Sequence, residues 1–330
     1  MTVDARIGTT LQGKYAIERV LGEGGMGIVY AARHVRLDRP VAIKFLHAPY
    51  ARERAALARF EGEARAAGSL RHPNVVDVVD VDVEAASGAP FMVLELLSGE
   101  PLSSLLQRRG ALPADEALAL LDPVLDALEA AHARGIVHRD LKPDNIFLAQ
   151  EAGRVVPKLL DFGIAKLRDS SPDAATATGT AMGTPTYMAP EQARGSVREI
   201  GPWTDVWSMG VVLFECASGR MHFDFAPDAG VLGWLGQVAT GRPRALRDVA
   251  PGVPETFASA VDAALDVEPS RRTQSITALR AALRGEAAGA EVARTVRAPA
   301  THFAGVHVTP ETRSIPTPVV GRGPMLAYRA

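Results

Sequence analysis

The chain has 330 residues, 47% hydrophobic and 22% charged, the balance of a water-exposed globular protein with room for one large or two small cores. Thirty-six Lys and Arg against thirty-eight Asp and Glu leave a formal net charge of -2, so no overall attraction to nucleic acid or to an anionic membrane surface is expected. One cysteine, Cys216, excludes an intrachain disulfide and fits a reducing cytosol; residues 1–10 hold no secretory apolar segment, and no window reaches the roughly 18 apolar residues that a membrane helix needs.

Residues 1–14 read as an N-terminal extension. From Tyr15 a strand runs into Gly22-Glu23-Gly24-Gly25-Met26-Gly27 and returns as Ile28-Val29-Tyr30-Ala31. Gly22, Gly24 and Gly27 let backbone amides approach phosphate oxygens closely. A dinucleotide fingerprint would need a helix after its glycines, whereas the β-branched Ile28 and Val29 favour a strand. Val41-Ala42-Ile43-Lys44-Phe45-Leu46 reads as a third strand whose lysine needs an anion. The stretch 51–70 reads as a helix with Phe60, Ala64, Ala67 and Leu70 on one face. Glu63 turns with that face and is the candidate partner of Lys44; the competitor, Glu61, lies about 160° from Glu63 on a helical wheel and is assigned to solvent. His72-Pro73-Asn74 ends the helix, 75–83 reads as one strand, and 91–97 as another that stops at Ser98-Gly99-Glu100-Pro101.

Beyond that turn helices take over. The span 113–134 carries Leu118, Leu121, Val124, Leu125, Leu128 and Ala131 at helical spacing, with Pro123 predicting a bend or a lost hydrogen bond and Gly135 a stop. It leads into His138-Arg139-Asp140-Leu141-Lys142-Pro143-Asp144-Asn145. Asp140 can hold a hydroxyl and accept its proton, Lys142 can face a transferring phosphate, and Asn145 and Asp161 supply the hard oxygens that magnesium prefers. The run 155–160 reads as a short strand carrying Asp161, with Phe162-Gly163 behind it. A small-residue span follows, bearing Ser170, Ser171, Thr176, Thr178 and Thr180, and from Gly285 the chain is rich in Ala, Gly, Thr and Pro, the composition of a disordered tail.

The order H-R-D-L-x-x-x-N and then D-F-G resembles the eukaryotic-like serine/threonine protein kinase family of bacterial type, over about residues 15–284. The resemblance implies an α+β, two-lobed protein kinase fold, with a small antiparallel β lobe holding one main helix (15–97), a larger mainly helical lobe (98–284) and a tail (285–330). It implies ATP and Mg2+ as cofactors and γ-phosphoryl transfer to Ser or Thr hydroxyls of protein substrates in cytoplasmic bacterial signalling. A transient homodimer for autophosphorylation in trans belongs to the same expectation. The nucleotide-binding set it implies is Gly22, Gly24, Gly27, Val29, Ala42, Lys44, Glu95, Leu97 and Phe147, with Leu94 restricting the pocket behind the adenine. Catalytic roles fall on Asp140, Lys142, Lys44, Glu63 and Thr184, and metal ligation on Asn145 and Asp161. Thr176 and Thr178 are its regulatory phosphosites, with Arg139 as a cation for the new phosphate. Glu191, in Ala189-Pro190-Glu191, is expected to pair with buried Arg272, Arg271 being the alternative, and Asp205 to anchor the catalytic loop. The segment 220–247 departs from the family pattern at Met221-His222-Phe223-Asp224-Phe225. A small-molecule phosphotransferase and a non-enzymatic scaffold are the rival readings.

Overall fold

Alternating apolar residues build the first layer. The computed structural model describes residues 5–24, 27–47, 54–161 and 185–286, all within one unit spanning 1–290. Strands β1 (Thr10–Leu11), β2 (Tyr15–Glu23), β3 (Gly27–His34), β4 (Arg39–Leu46), β5 (Val78–Val83) and β6 (Pro90–Glu95) form an antiparallel sheet in the order β1-β2-β3-β4-β6-β5. Opposed residues share a face in such a sheet, so the pairs Val29 with Lys44 and Ala42 with Leu94 put all four side chains on one side. The other side is apolar: Tyr30, Ile43, Phe45, Phe91 and Val93 close a small core, and the Arg6 guanidinium lies 4.4 Å from the Phe45 ring centre. Helix α1 (Arg54–Ser69) covers part of the Lys44 face through Phe60 and Ala64, which meet Leu46 and Met92.

The large lobe is built around helices α3 (Ala114–His132) and α5 (Pro202–Ser218), with α2 (Leu102–Arg109) and α4 (Pro190–Ala193) preceding them in turn and α6 (Gly230–Thr240), α7 (Leu246–Val249), α8 (Glu255–Ala264) and α9 (Ile276–Leu283) following. Leu121, Val124, Leu125 and Leu128 of α3 and Val206 through Phe214 of α5, apart from Ser208 and Gly210, are sealed in one core. Helix α3 continues through Pro123, which cannot donate the usual bond to the Ala119 carbonyl, and Gly135 turns the chain at φ +71°. Strands β7 (Gly99–Pro101), β8 (Ile146–Glu151) and β9 (Arg154–Leu159) make a second sheet, with Pro157 tolerated because β9 is an edge strand.

Several elements differ from the sequence reading. Strand β5 starts at Val78 because the residues before it are held by β9: Val76 N–H donates to Leu159 O at 2.9 Å and Asn74 Nδ2 to Pro157 O at 2.8 Å. Leu70 and Val75 accordingly join the large core. Strand β6 ends at Glu95, two residues early. Helix α2, with only Leu102 and Leu106 buried one turn apart, is too short for its periodicity to be read. Thr10 and Leu11, placed in the extension, pair with Ala16 and Tyr15.

Candidate active site

Lys44 stands near the end of β4 with its side chain 15% exposed; Nζ lies 2.8 Å from Glu63 Oε1 and 2.7 Å from Asp161 Oδ1. Glu63 reaches it from the face of α1 that carries Phe60 and Ala64, while Glu61 is exposed and lies 3.7 Å from Arg65. Burial alone would lower the Lys44 pKa, but the two carboxylates outweigh it and push it above its ordinary range. One ammonium does not serve two carboxylates equally. Burial, and then the charge of Asp161, push Glu63 up to about 8. Burial acts the same way on Asp161, yet Lys44 overcomes it and holds that carboxyl below its usual value.

The catalytic-loop segment is fastened from beneath. Asp205, completely enclosed in α5, accepts the His138 and Arg139 backbone N–H groups at 2.7 and 2.8 Å and lies 2.7 Å from His132 Nε2. A buried carboxylate is tolerable with such donors and expensive without them. Arg139 takes φ +69°, and its carbonyl accepts from Gln192 Nε2 at 2.9 Å. His138 is fully buried between two partners: Nε2 donates to Leu160 O at 3.0 Å, and Nδ1 accepts the Asp140 N–H at 3.3 Å, which sets its tautomer. Burial keeps its pKa below the ordinary value, with Asp205 and Asp140 opposing. Leu160 N–H in turn donates to Asn145 O at 2.9 Å. The strand end bearing Asp161 and the loop bearing Asp140 are therefore one stitched unit.

Within that unit Lys142 Nζ is 3.5 Å from Asp140 Oδ2, and Asn145 Nδ2 donates to Asp140 O at 2.8 Å and Oδ2 at 3.2 Å. That commits the Asn145 amide nitrogen and leaves its oxygen as the donor atom for a cation. Among the described residues no three His, Cys, Asp or Glu side chains gather as a metal cage. An amide oxygen and the Asp161 carboxylate are both hard oxygen atoms, the type that magnesium prefers.

Part of the set expected to line a nucleotide lies beside Lys44. Val29, Ala42 and Leu94 share the Lys44 face; Phe147 stands half-buried on β8, and Leu97 follows β6. A β-carbon added at Gly22 or Gly24 would meet nothing within 4 Å, so the space beside them is open, whereas one at Gly27 would overlap the Phe45 carbonyl. Farther down, Glu191 and Arg272 form a fully buried pair at 2.9 and 3.0 Å, joined by Thr204 Oγ1 at 2.8 Å, while Arg271 is exposed. Thr184, Thr176 and Thr178 lie outside the described residues.

Three contributors were not singled out in the sequence: His132, Gln192 and Lys158. Lys158 Nζ contacts Glu95 at 2.9 and 3.1 Å and Glu151 at 3.2 Å, and its signal was a lysine inside an otherwise apolar strand. His132 and Gln192 act through folded proximity alone and leave no local pattern.

A family profile described as the protein kinase domain matches residues 15–281. The chain is 40% identical over 272 residues to serine/threonine-protein kinase Pkn1 of Myxococcus xanthus, covering 82% of this chain and 38% of that protein. It is 43% identical over 221 residues to serine/threonine-protein kinase PknA of Mycobacterium tuberculosis, covering 66% and 50%. The chain thus spans half or less of the length of these curated relatives. The crystal structure of the M. tuberculosis PknI kinase domain superposes with a TM-score of 0.65 at 25% identity, over 84% of this chain and 97% of that one.

Proposed function

The chain belongs to the protein kinase family, in its bacterial serine/threonine branch, and from that membership we propose that it transfers the γ-phosphoryl group of ATP to Ser or Thr hydroxyls of other proteins. The observation that carries the reading is the meeting of Lys44 from the sheet with Asp161 from the catalytic side at 2.7 Å, since phosphoryl transfer asks mainly for positioning and neutralised charge.

In this reading Lys44, kept charged and aimed by Glu63, holds the α- and β-phosphates, and the amides of the Gly22 to Gly27 turn cover them. Val29, Ala42, Leu94 and Phe147 enclose the base, with backbone groups of Glu95 and Leu97 at its edge. Asn145 and Asp161 would hold Mg2+, which when bound offsets charge on the β- and γ-phosphates. Asp140 orients the acceptor hydroxyl and takes its proton, and Lys142 faces the γ-phosphoryl group. A peptide acceptor is favoured over a metabolite by the Ala189-Pro190-Glu191 segment and by the run Asp140-Leu141-Lys142. Thr176 and Thr178 are the proposed sites of regulatory autophosphorylation, in trans between transiently paired copies. Arg139 Nε, buried and without a hydrogen-bond partner among the described residues, suits the role of cation for such a phosphate. A cytosolic setting is part of the same proposal, as is bacterial signalling.

The test is mass spectrometry of the purified chain incubated with ATP, magnesium, a generic basic protein and a metabolite mixture. Phosphate on Ser and Thr of the added protein and of the chain is expected. Transfer to metabolites alone, or ATP binding without transfer, would overturn the proposal.

A further inference from the structure

We infer that His47 is a positioning residue for the nucleotide lid: its imidazole holds the Gly24 carbonyl away from the phosphates and ties the glycine turn to the strand that carries Lys44. The inference rests on the kinase reading of the cleft. His47 follows β4 directly, three residues after Lys44, and its Nε2 lies 2.9 Å from Gly24 O. A carbonyl only accepts, so Nε2 carries the proton, and the bond is kept whether or not the second nitrogen is also protonated.

The turn itself is closed by backbone bonds, Gly24 N–H to Gly27 O at 2.9 Å and Gly27 N–H to Gly24 O at 3.3 Å. The Gly24 oxygen thus serves two donors, one from within the turn and one from β4. The first keeps the turn's shape. The second adds to what sets the Gly24 end of the turn relative to Lys44. Gly27, at the far end, is already paired with Leu46 of β4 by the backbone ladder; at the near end there is open space beside Gly22 and Gly24, and among the described residues His47 is the side chain that hydrogen-bonds to the turn's backbone. Glu23 Oε1, 3.9 Å from the same nitrogen, sits on a largely exposed side chain and adds little.

The orientation matters for a triphosphate. Backbone N–H groups attract its oxygens and a carbonyl oxygen repels them, so a lid that binds phosphate must keep its carbonyls turned outward. An imidazole N–H on the Gly24 carbonyl does so from outside the nucleotide's own contacts.

The experiment compares the whole chain with His47→Leu, which cannot donate, and His47→Gln, which keeps an N–H at similar reach. Steady-state transfer and titration with a fluorescent ATP analogue are read together. For His47→Leu we expect the ATP KM and the analogue Kd to rise about 3–10-fold, the worth of one net hydrogen bond, with kcat and the protein-substrate KM unchanged. His47→Gln should recover most of that loss. An unchanged Kd in His47→Leu, or a His47→Gln variant as weak as His47→Leu, overturns the inference. A wild-type chain that binds the analogue but transfers nothing removes the kinase reading while the Kd comparison still decides the role of His47; one that binds no nucleotide removes both.

Discussion

Lys44 in the small lobe is held between two carboxylates, Glu63 and Asp161, by charge-assisted contacts that compete for one ammonium, whereas Asp205 in the large lobe is enclosed and holds backbone N–H groups of the catalytic loop. The first arrangement can be re-shared when another anion arrives. One of its two carboxylates is redundant for a single ammonium, and Asp161 is 44% exposed. The second cannot change without leaving a buried carboxylate unpaired, at a cost of roughly 1–3 kcal/mol or more. Exchangeable electrostatics thus sit where a substrate must enter, and fixed hydrogen bonds sit where geometry must persist.

The fixed side of the contrast is open to the strongest attack. Arg272→Ala leaves Glu191 as an unpaired charge with no exposure, and removing one partner of such a pair costs about 3–5 kcal/mol. Urea unfolding should show that loss, and a variant as stable as the parent would show that the large lobe is not held this way. The exchangeable side should be milder. Glu63→Gln keeps a polar group near Lys44 but removes the carboxyl oxygens that accept from it, so kcat/KM should fall about 10–100-fold, the usual effect of losing a supporting partner, with stability little changed. Equal loss of stability would place Glu63 among the fixed elements.

The smallest test lies inside the large lobe, where two buried histidines differ. His138 has partners on both nitrogens, while neither nitrogen of His222 has a hydrogen-bond partner among the described residues. The His222 ring is walled by Trp207, Phe214 and Phe223, and burial, with Arg244 adding to it, pulls its pKa down to about 3. A histidine whose folded pKa is depressed stays neutral while the unfolded chain takes up a proton, so stability is lost as pH falls from about 6.5 toward that value. His222→Leu should remove about 1 kcal/mol of the destabilisation between pH 6.5 and 5.5, the unfolded histidine being half protonated at the upper end. Parallel stability-against-pH curves for variant and parent would contradict this.

How much of this the sequence disclosed follows the same division. Lys44 and Glu63 could be paired from a strand and a helical wheel, because each position depends on local periodicity. The order of Asp140, Asn145 and Asp161 was likewise written in one short stretch. What could not be read was any contact made through folded distance: Asn74 reaching Pro157, Lys158 reaching Glu95, His132 reaching Asp205. The misplaced start of β5 has the same origin, since Val75 and Val76 have strand-forming side chains but their backbone is taken by Leu159. Local pattern states what a segment can do, and the partner that arrives from elsewhere decides which of those it does.

The division of labour between the lobes is tested most directly by measuring MgATP affinity and phosphoryl transfer in Asp140→Asn beside Lys44→Met. The account predicts that Asp140→Asn binds MgATP as the parent does while transfer falls about 10²–10⁴-fold, as expected when a proton acceptor is lost, and that Lys44→Met loses both. An Asp140→Asn chain that still transfers at the parent's rate would contradict it.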